Sequence, residues 1–274
     1  MESITLWNDI PGYVEGGEIP LLRYYPASEK RGRGSVLIFP GGGYQSRAKH
    51  EGEGYALFLN SEGLDAFVLD YRVAPTRYPY ALMDARRAMR YIRSRAEELG
   101  LDPEHIAVMG SSAGGHLAAH LAALGDKPLA GEPQDSLSAF SARPTVQLLC
   151  YPVTSPASHT GSYKNLLGED WEACAEVVDP YLLADGDTPP AFIWHTETDR
   201  TVDPAQTLRY AARLHELGVR CEFHLYPEGP HGIGLAESYP SARRWTRELI
   251  FYLEGAEFFA PGDKIRKNLS SEGA

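Results

Sequence analysis

Three residues far apart in the chain have the types needed to build an activated serine: Ser112, Asp199 and His231. Ser112 is the centre of Gly110-Ser111-Ser112-Ala113-Gly114, a GxSxG run that follows the apolar stretch HIAVM and precedes a helical pattern. A sharp strand-to-helix turn needs small residues on both sides, and it leaves the central hydroxyl exposed at the end of the strand. A serine hydroxyl is a weak nucleophile, so it needs a base to take its proton and an acid to orient that base. His231 sits between Pro230 and Gly232 behind the stretch CEFHLY, whereas His224 lies inside that stretch and His195 ends the preceding one. His231 is therefore the candidate base. The acid belongs to the loop that follows AFIWH, where Asp199 is preferred and Asp203 and Glu197 are alternatives. Reach to the imidazole decides among them. The same chemistry, acyl transfer, also needs N–H groups aimed at a developing oxyanion. Pro40-Gly41-Gly42-Gly43-Tyr44 follows the apolar run SVLIF, and consecutive glycines let the backbone turn its amides without Cβ obstruction. The N–H of Ala113 would complete the set.

The elements that must hold these loops read as short apolar runs alternating with helical patterns, which is the signature of a mostly parallel sheet covered on both faces. The runs are residues 35–39, 65–69, 105–109, 146–150, 191–195 and 221–226, with 19–25 as an antiparallel edge strand. They are continuous rather than alternating, as doubly buried strands should be. Helices are expected over 50–61, 80–99, 114–124, 204–217 and 241–253, the second carrying apolar residues at steps of three and four from Ala81 to Leu99. Two polar, small-residue excursions at 125–144 and 155–190 read as lid-like insertions in one domain spanning 1–260, and 261–274 reads as a flexible tail.

Of 274 residues, 26 are basic and 37 acidic, a formal charge of −11 that argues against a nucleic-acid partner and for an uncharged substrate. No stretch approaches the roughly 20 apolar residues needed to cross a membrane, and the start of the chain lacks a basic-then-apolar leader. Cys150, Cys174 and Cys221 are too few and too scattered for a disulfide framework or a thiolate zinc site. A cytoplasmic protein is expected, with self-association left open. His116 and His120 have metal-pair spacing but no accompanying glutamate, so no metal or cofactor is expected. Asp70, Asp84 and Arg72 read as a structural polar network, and Tyr44, Trp171 and Trp194 as apolar or sugar-stacking surface, with core packing the equal alternative for Trp194.

The combination of FPGGGY (39–44), LDYRVAP (69–75), GSSAGGHLA (110–118), TPPAFIWHTETDRTV (188–202) and YPEGPHGIGLA (226–236) resembles the α/β-hydrolase esterases. More narrowly, it resembles the acetylxylan and feruloyl esterase-like carbohydrate esterases related to the hormone-sensitive lipase group. The resemblance implies an α/β-hydrolase fold with about eight strands and a minimal cap. It assigns Ser112, Asp199 and His231 to a triad, and Gly42, Gly43 and Ala113 to the oxyanion hole. Two departures from the lipase group, PGGG in place of HGGG and only 34 residues before the first core strand, favour the carbohydrate-esterase branch and an open site. The function implied is removal of small acyl groups, acetyl above all, from oligosaccharide esters, with Tyr44 and Trp171 touching substrate. An amidase or peptidase using the same triad is the alternative, and a non-catalytic binding protein a remote one.

Overall fold

Residues 35–39 (SVLIF) alternate their side chains between two apolar surroundings, and the rest of the molecule follows from that alternation. Val36 and Ile38 join one core with Tyr55, Ala56, Leu59, Trp245 and Leu249. Leu37 and Phe39 join the other with Ala85, Met89, Leu117, Leu121 and Leu214. A strand apolar on both sides can be satisfied only if helices cover both faces of its sheet.

The computed structural model describes residues 2–260. Its strands are β1 (Glu2–Thr5), β2 (Leu21–Tyr25), β3 (Ser35–Phe39), β4 (Asp65–Asp70), β5 (Ile106–Ser111), β6 (Gln147–Cys150), β7 (Ala191–Thr196) and β8 (Cys221–Tyr226). They form one sheet in the order β1-β2-β4-β3-β5-β6-β7-β8, antiparallel at β1 and β2 and parallel from β4 onward. The register brings the ends of the parallel strands to one edge, pairing Phe39 with Gly110, Ser111 with Cys150, and Thr196 with Tyr226. All four chemical loops, after β3, β5, β7 and β8, therefore leave from the same carboxyl edge.

The helices are α1 (Lys49–Ser61), α2 (Tyr80–Ser94), α3 (Ala96–Leu99), α4 (Ala113–Leu124), α5 (Thr160–Leu167), α6 (Trp171–Cys174), α7 (Pro180–Leu183), α8 (Pro204–Glu216) and α9 (Trp245–Gly255). The helix expected over 80–99 is interrupted at Arg95, which leaves the helical region at φ −106° and ψ 5°. The edge strand starts at Leu21 rather than Ile19, after Pro20, which has no N–H for a ladder. Strand β1 carries no apolar pattern and was not anticipated; its residues are mostly exposed. Of the expected polar network, Arg72 and Asp84 pair at 2.8 Å in the core with Trp7 donating to the same carboxylate, while Asp70 turns away to Arg23.

The two insertions leave the sheet at different edges and meet at the amino edge, where Lys127 pairs with Asp185 at 2.7 Å. Helix α4 starts at the carboxyl edge and runs back along the sheet, so residues 125–144 connect at the amino edge, away from Ser112. They are fastened to α2 by Glu132, which pairs with Arg86 and Arg90, and are a brace rather than a lid. Residues 155–190 leave β6 at the carboxyl edge and cross to the amino edge to enter β7, and on the way Asn165 reaches the glycine loop. Residues 261–274 lie outside the described residues. No described helix is long and apolar enough to cross a membrane.

Candidate active site

Ser112 occupies the turn between β5 and α4 at φ 53° and ψ −120°, a conformation that an L-residue holds only when its surroundings enforce it. The enforcement comes from close packing on either side. A Cβ on Gly110 would meet the Gly114 carbonyl oxygen at 2.1 Å, and a Cβ on Gly114 would meet that of Phe39 at 2.0 Å. The small residues of the elbow are thus required by backbone contact.

From Ser112 the hydrogen bonds form an unbroken relay. Ser112 Oγ lies 2.8 Å from His231 Nε2, and His231 Nδ1 lies 2.7 Å from Asp199 Oδ2. Asp199 is buried, and its other oxygen accepts the N–H groups of Thr201 at 2.8 Å and Val202 at 3.0 Å. Burial acting alone would raise its pKa, but the bonds from His195 and His231, the His231 charge and the Val202 amide outweigh it. Together they hold the carboxyl well below the usual carboxylate range. The two alternative acids are placed elsewhere. Asp203 caps α8 by accepting the Ala205 N–H at 3.0 Å, and Glu197 is exposed.

Asp199 has a second imidazole that the sequence reading passed over. His195, fully buried at the end of β7, places Nε2 3.0 Å from Asp199 Oδ2 and Nδ1 2.9 Å from Thr207 Oγ1. An ionised carboxylate only accepts, so Nε2 carries the proton, and the Thr207 hydroxyl lies between Nδ1 and the Pro152 carbonyl oxygen, 3.4 Å away. Two imidazoles thus share one carboxylate oxygen.

The glycine loop abuts the nucleophile, since a Cβ on Gly41 would lie 3.0 Å from Ser112 Cβ. Gly42 and Gly43 have φ of 136° and 64°, open to glycine. Gln45 and Ser46 donate to the Gly42 carbonyl, Ala48 donates to that of Gly41, and Glu51 takes the Gly41 N–H. The amides of Gly42 and Gly43 are left without a partner among the described residues. Ala113 contributes the first amide of α4, which has no acceptor within its helix. Asn165 on α5 donates to the Gly43 carbonyl at 2.8 Å, so the insertion holds the loop.

Tyr44 does not offer the expected substrate surface. At φ 57° its ring turns into the core, only 2% of it is exposed, and its hydroxyl meets His116 Nδ1 at 2.7 Å. Trp171 is half-buried and packs edge-on against Tyr163, whose ring lies against His116, and no described contact joins Trp171 to the triad. Trp194 is wholly buried, stacked on Trp245. His116, one turn from the nucleophile, and His120, a turn further along α4, are packing residues; burial holds His116 down at about 4 and His120 well below the usual histidine value. Among the described residues, no group of three or more His, Cys, Asp or Glu side chains converges on a metal position.

An arrangement of serine, imidazole, carboxylate and free amides on the edge of a parallel sheet has known counterparts. Residues 36–235 match the model of the α/β-hydrolase fold family, and the chain belongs to it. Several of its relatives there carry esterase names. It is 33% identical over 244 residues to an endo-1,4-β-xylanase B of Butyrivibrio fibrisolvens, covering 86% of this chain and 38% of that protein. It is 29% identical over 230 residues to an acetylxylan esterase of Xylanibacter ruminicola, covering 80% of this chain and 45% of that one. The chain thus spans less than half the length of these two relatives. Carboxylesterase NlhH of Mycobacterium tuberculosis is 30% identical, with 86% of this chain and 77% of that protein aligned. Among solved structures, the acetyl ester-xyloside bifunctional hydrolase of Caldicellulosiruptor lactoaceticus superposes with a TM-score of 0.89 at 38% identity, covering 94% of this chain and 97% of the other.

Proposed function

We propose that the chain is a serine carboxylesterase that removes small acyl groups, acetyl foremost, from acylated carbohydrates such as xylo-oligosaccharides. The observation that carries this reading is the relay from Ser112 through His231 to Asp199, set against a glycine loop with unused amides. The carbohydrate part draws its support from the relatives, whose names include an acetylxylan esterase and an acetyl ester-xyloside hydrolase.

In the proposed cycle Ser112 Oγ attacks the ester carbonyl while His231 Nε2 takes the hydroxyl proton. Asp199 holds the imidazole in the tautomer that presents Nε2 and stabilises the imidazolium. The Gly42, Gly43 and Ala113 amides receive the carbonyl oxygen as it becomes an oxyanion. His231 then protonates the departing sugar hydroxyl, and water, activated by the same imidazole, releases the acyl group as a carboxylic acid.

The test measures turnover of p-nitrophenyl esters from acetate to octanoate, and acetate release from acetylated xylo-oligosaccharides. Turnover should fall steeply with acyl length, and acetate should be released from the sugar. Equal turnover of octanoate would sink the small-acyl reading, and aryl-acetate turnover without acetate release would sink the carbohydrate one.

A further inference from the structure

A buried carboxylate stands behind the site and takes no part in the cycle above. Glu51, in the first turn of α1, is 3% exposed. Its Oε2 accepts the Gly41 N–H at 2.8 Å, and its Oε1 accepts the Tyr151 hydroxyl at 2.7 Å. Tyr151 Oη in turn receives the Gly234 N–H at 3.0 Å and lies 3.1 Å from Tyr55 Oη, which receives the Ser111 hydroxyl at 2.9 Å. One connected network therefore touches the glycine loop at Gly41, the elbow at Ser111 and the histidine loop at Gly234.

The directions of these bonds are set by the carboxylate. Ser111 donates to Tyr55, Tyr55 to Tyr151 and Tyr151 to Glu51, a one-way chain that must end on a group that only accepts. Burial raises the pKa of both tyrosines well above the usual phenol value, which keeps each a donor. Tyr151 is also held at φ 36°, with its ring edge-on to His231 at 5.1 Å.

We propose that Glu51 is a positioning residue that registers the glycine loop against the histidine loop, acting through Tyr151. The inference rests on the roles given above to Ser112, His231 and the Gly42 and Gly43 amides. A glutamine in place of Glu51 has the same shape but one accepting oxygen. The Gly41 N–H cannot turn, so that oxygen must stay with it and the amide nitrogen must face Tyr151. Tyr151 then has to donate toward Tyr55, the chain reverses, and one buried hydroxyl proton is left without an acceptor.

The test compares Glu51→Gln, Tyr151→Phe and the double variant on p-nitrophenyl acetate, alongside Ser112→Ala. Glu51→Gln should lower kcat roughly 10- to 100-fold, short of the 10²- to 10³-fold loss for deleting an oxyanion donor outright. KM should stay within about twofold, because the oxyanion contacts form only in the transition state. The double variant should be no slower than the slower single, since both break one relay. If Glu51→Gln fails to fold, Tyr151→Phe carries the same kcat and KM test alone. A kcat within about threefold of wild type, a loss confined to KM, or losses that multiply in the double variant would each overturn the proposal. Ser112→Ala separates the two ideas: turnover surviving there removes the esterase reading, whereas a dead Ser112→Ala beside a fully active Glu51→Gln removes only the role of Glu51.

Discussion

Two pairs of histidines, one around Asp199 and one on α4, are used by the fold in opposite ways. His231 and His195 share one oxygen of Asp199, which anchors both rings. His116 and His120, one turn apart on α4, have no carboxylate between them; they meet Tyr44, Tyr163 and Tyr78 instead. Imidazole chemistry is the same in both places. What differs is the company: a buried carboxylate orients the imidazoles that donate to it, and burial among aromatic rings holds an imidazole neutral.

The largest effect that tests this contrast is on turnover. His231→Ala should lower kcat for p-nitrophenyl acetate on the order of 10⁴-fold or more, because the serine loses its base. A loss below about 100-fold would mean that another group takes the proton.

Stability against pH separates the pairs next. The folded pKa of His116 is depressed to about 4, so its contribution is present above the unfolded value of 6.5 and is lost as pH falls through 4. Over that window the cost comes to about 3 kcal/mol. Asp199 also has a depressed folded pKa, so its contribution is intact above its unfolded value of 3.8 and is lost only in more acid solution. Urea midpoints should therefore decline between pH 6.5 and 4 with Asp199 still ionised. His116→Gln, whose side chain does not titrate, should have a shallower slope there. An unchanged slope would contradict a buried neutral His116.

Within the carboxylate pair, His195 supports and His231 acts. His195→Phe leaves Asp199 Oδ2 with a single imidazole donor, while the Thr207 hydroxyl keeps the Pro152 carbonyl as an acceptor. A lost hydrogen bond to a charged group is worth about 1.5 kcal/mol at the low end, so kcat should fall about tenfold with KM nearly constant. A full-rate variant would mean that the two backbone amides and His231 are sufficient to hold Asp199.

How much of this was legible follows from how local each constraint is. The elbow is legible because its glycines are demanded by backbone contacts within a few residues, and the acid and base loops because each directly follows a strand end. His195 was not, since which way a strand-end side chain turns depends on a neighbouring loop. Tyr44 misled because a residue after three glycines looks exposed, while its positive φ sends the ring inward. The two insertions looked alike in composition, and what separates them is direction. An insertion after α4 leaves from the amino edge, and one after β6 from the carboxyl edge, which the order of elements implies once the sheet is taken as parallel. Glu51 had no signal at all, as one acidic residue in a helical first turn.

The smallest expected effect is the most exacting test of the contrast. His120 is fully buried, stacks on Tyr78 at 5.8 Å between ring centroids, and leaves Nε2 without a partner among the described residues. Phenylalanine keeps an aromatic ring there and removes a buried polar atom that nothing satisfies, a change that can be neutral or stabilising. His120→Phe should therefore keep kcat and KM within about twofold. It should also soften the loss of stability below pH 6.5, because His120 too has a depressed folded pKa and must take up a proton on unfolding. A tenfold fall in kcat with an unchanged thermal midpoint would mean that this ring serves the reaction, and the division between a catalytic and a packing pair would fail.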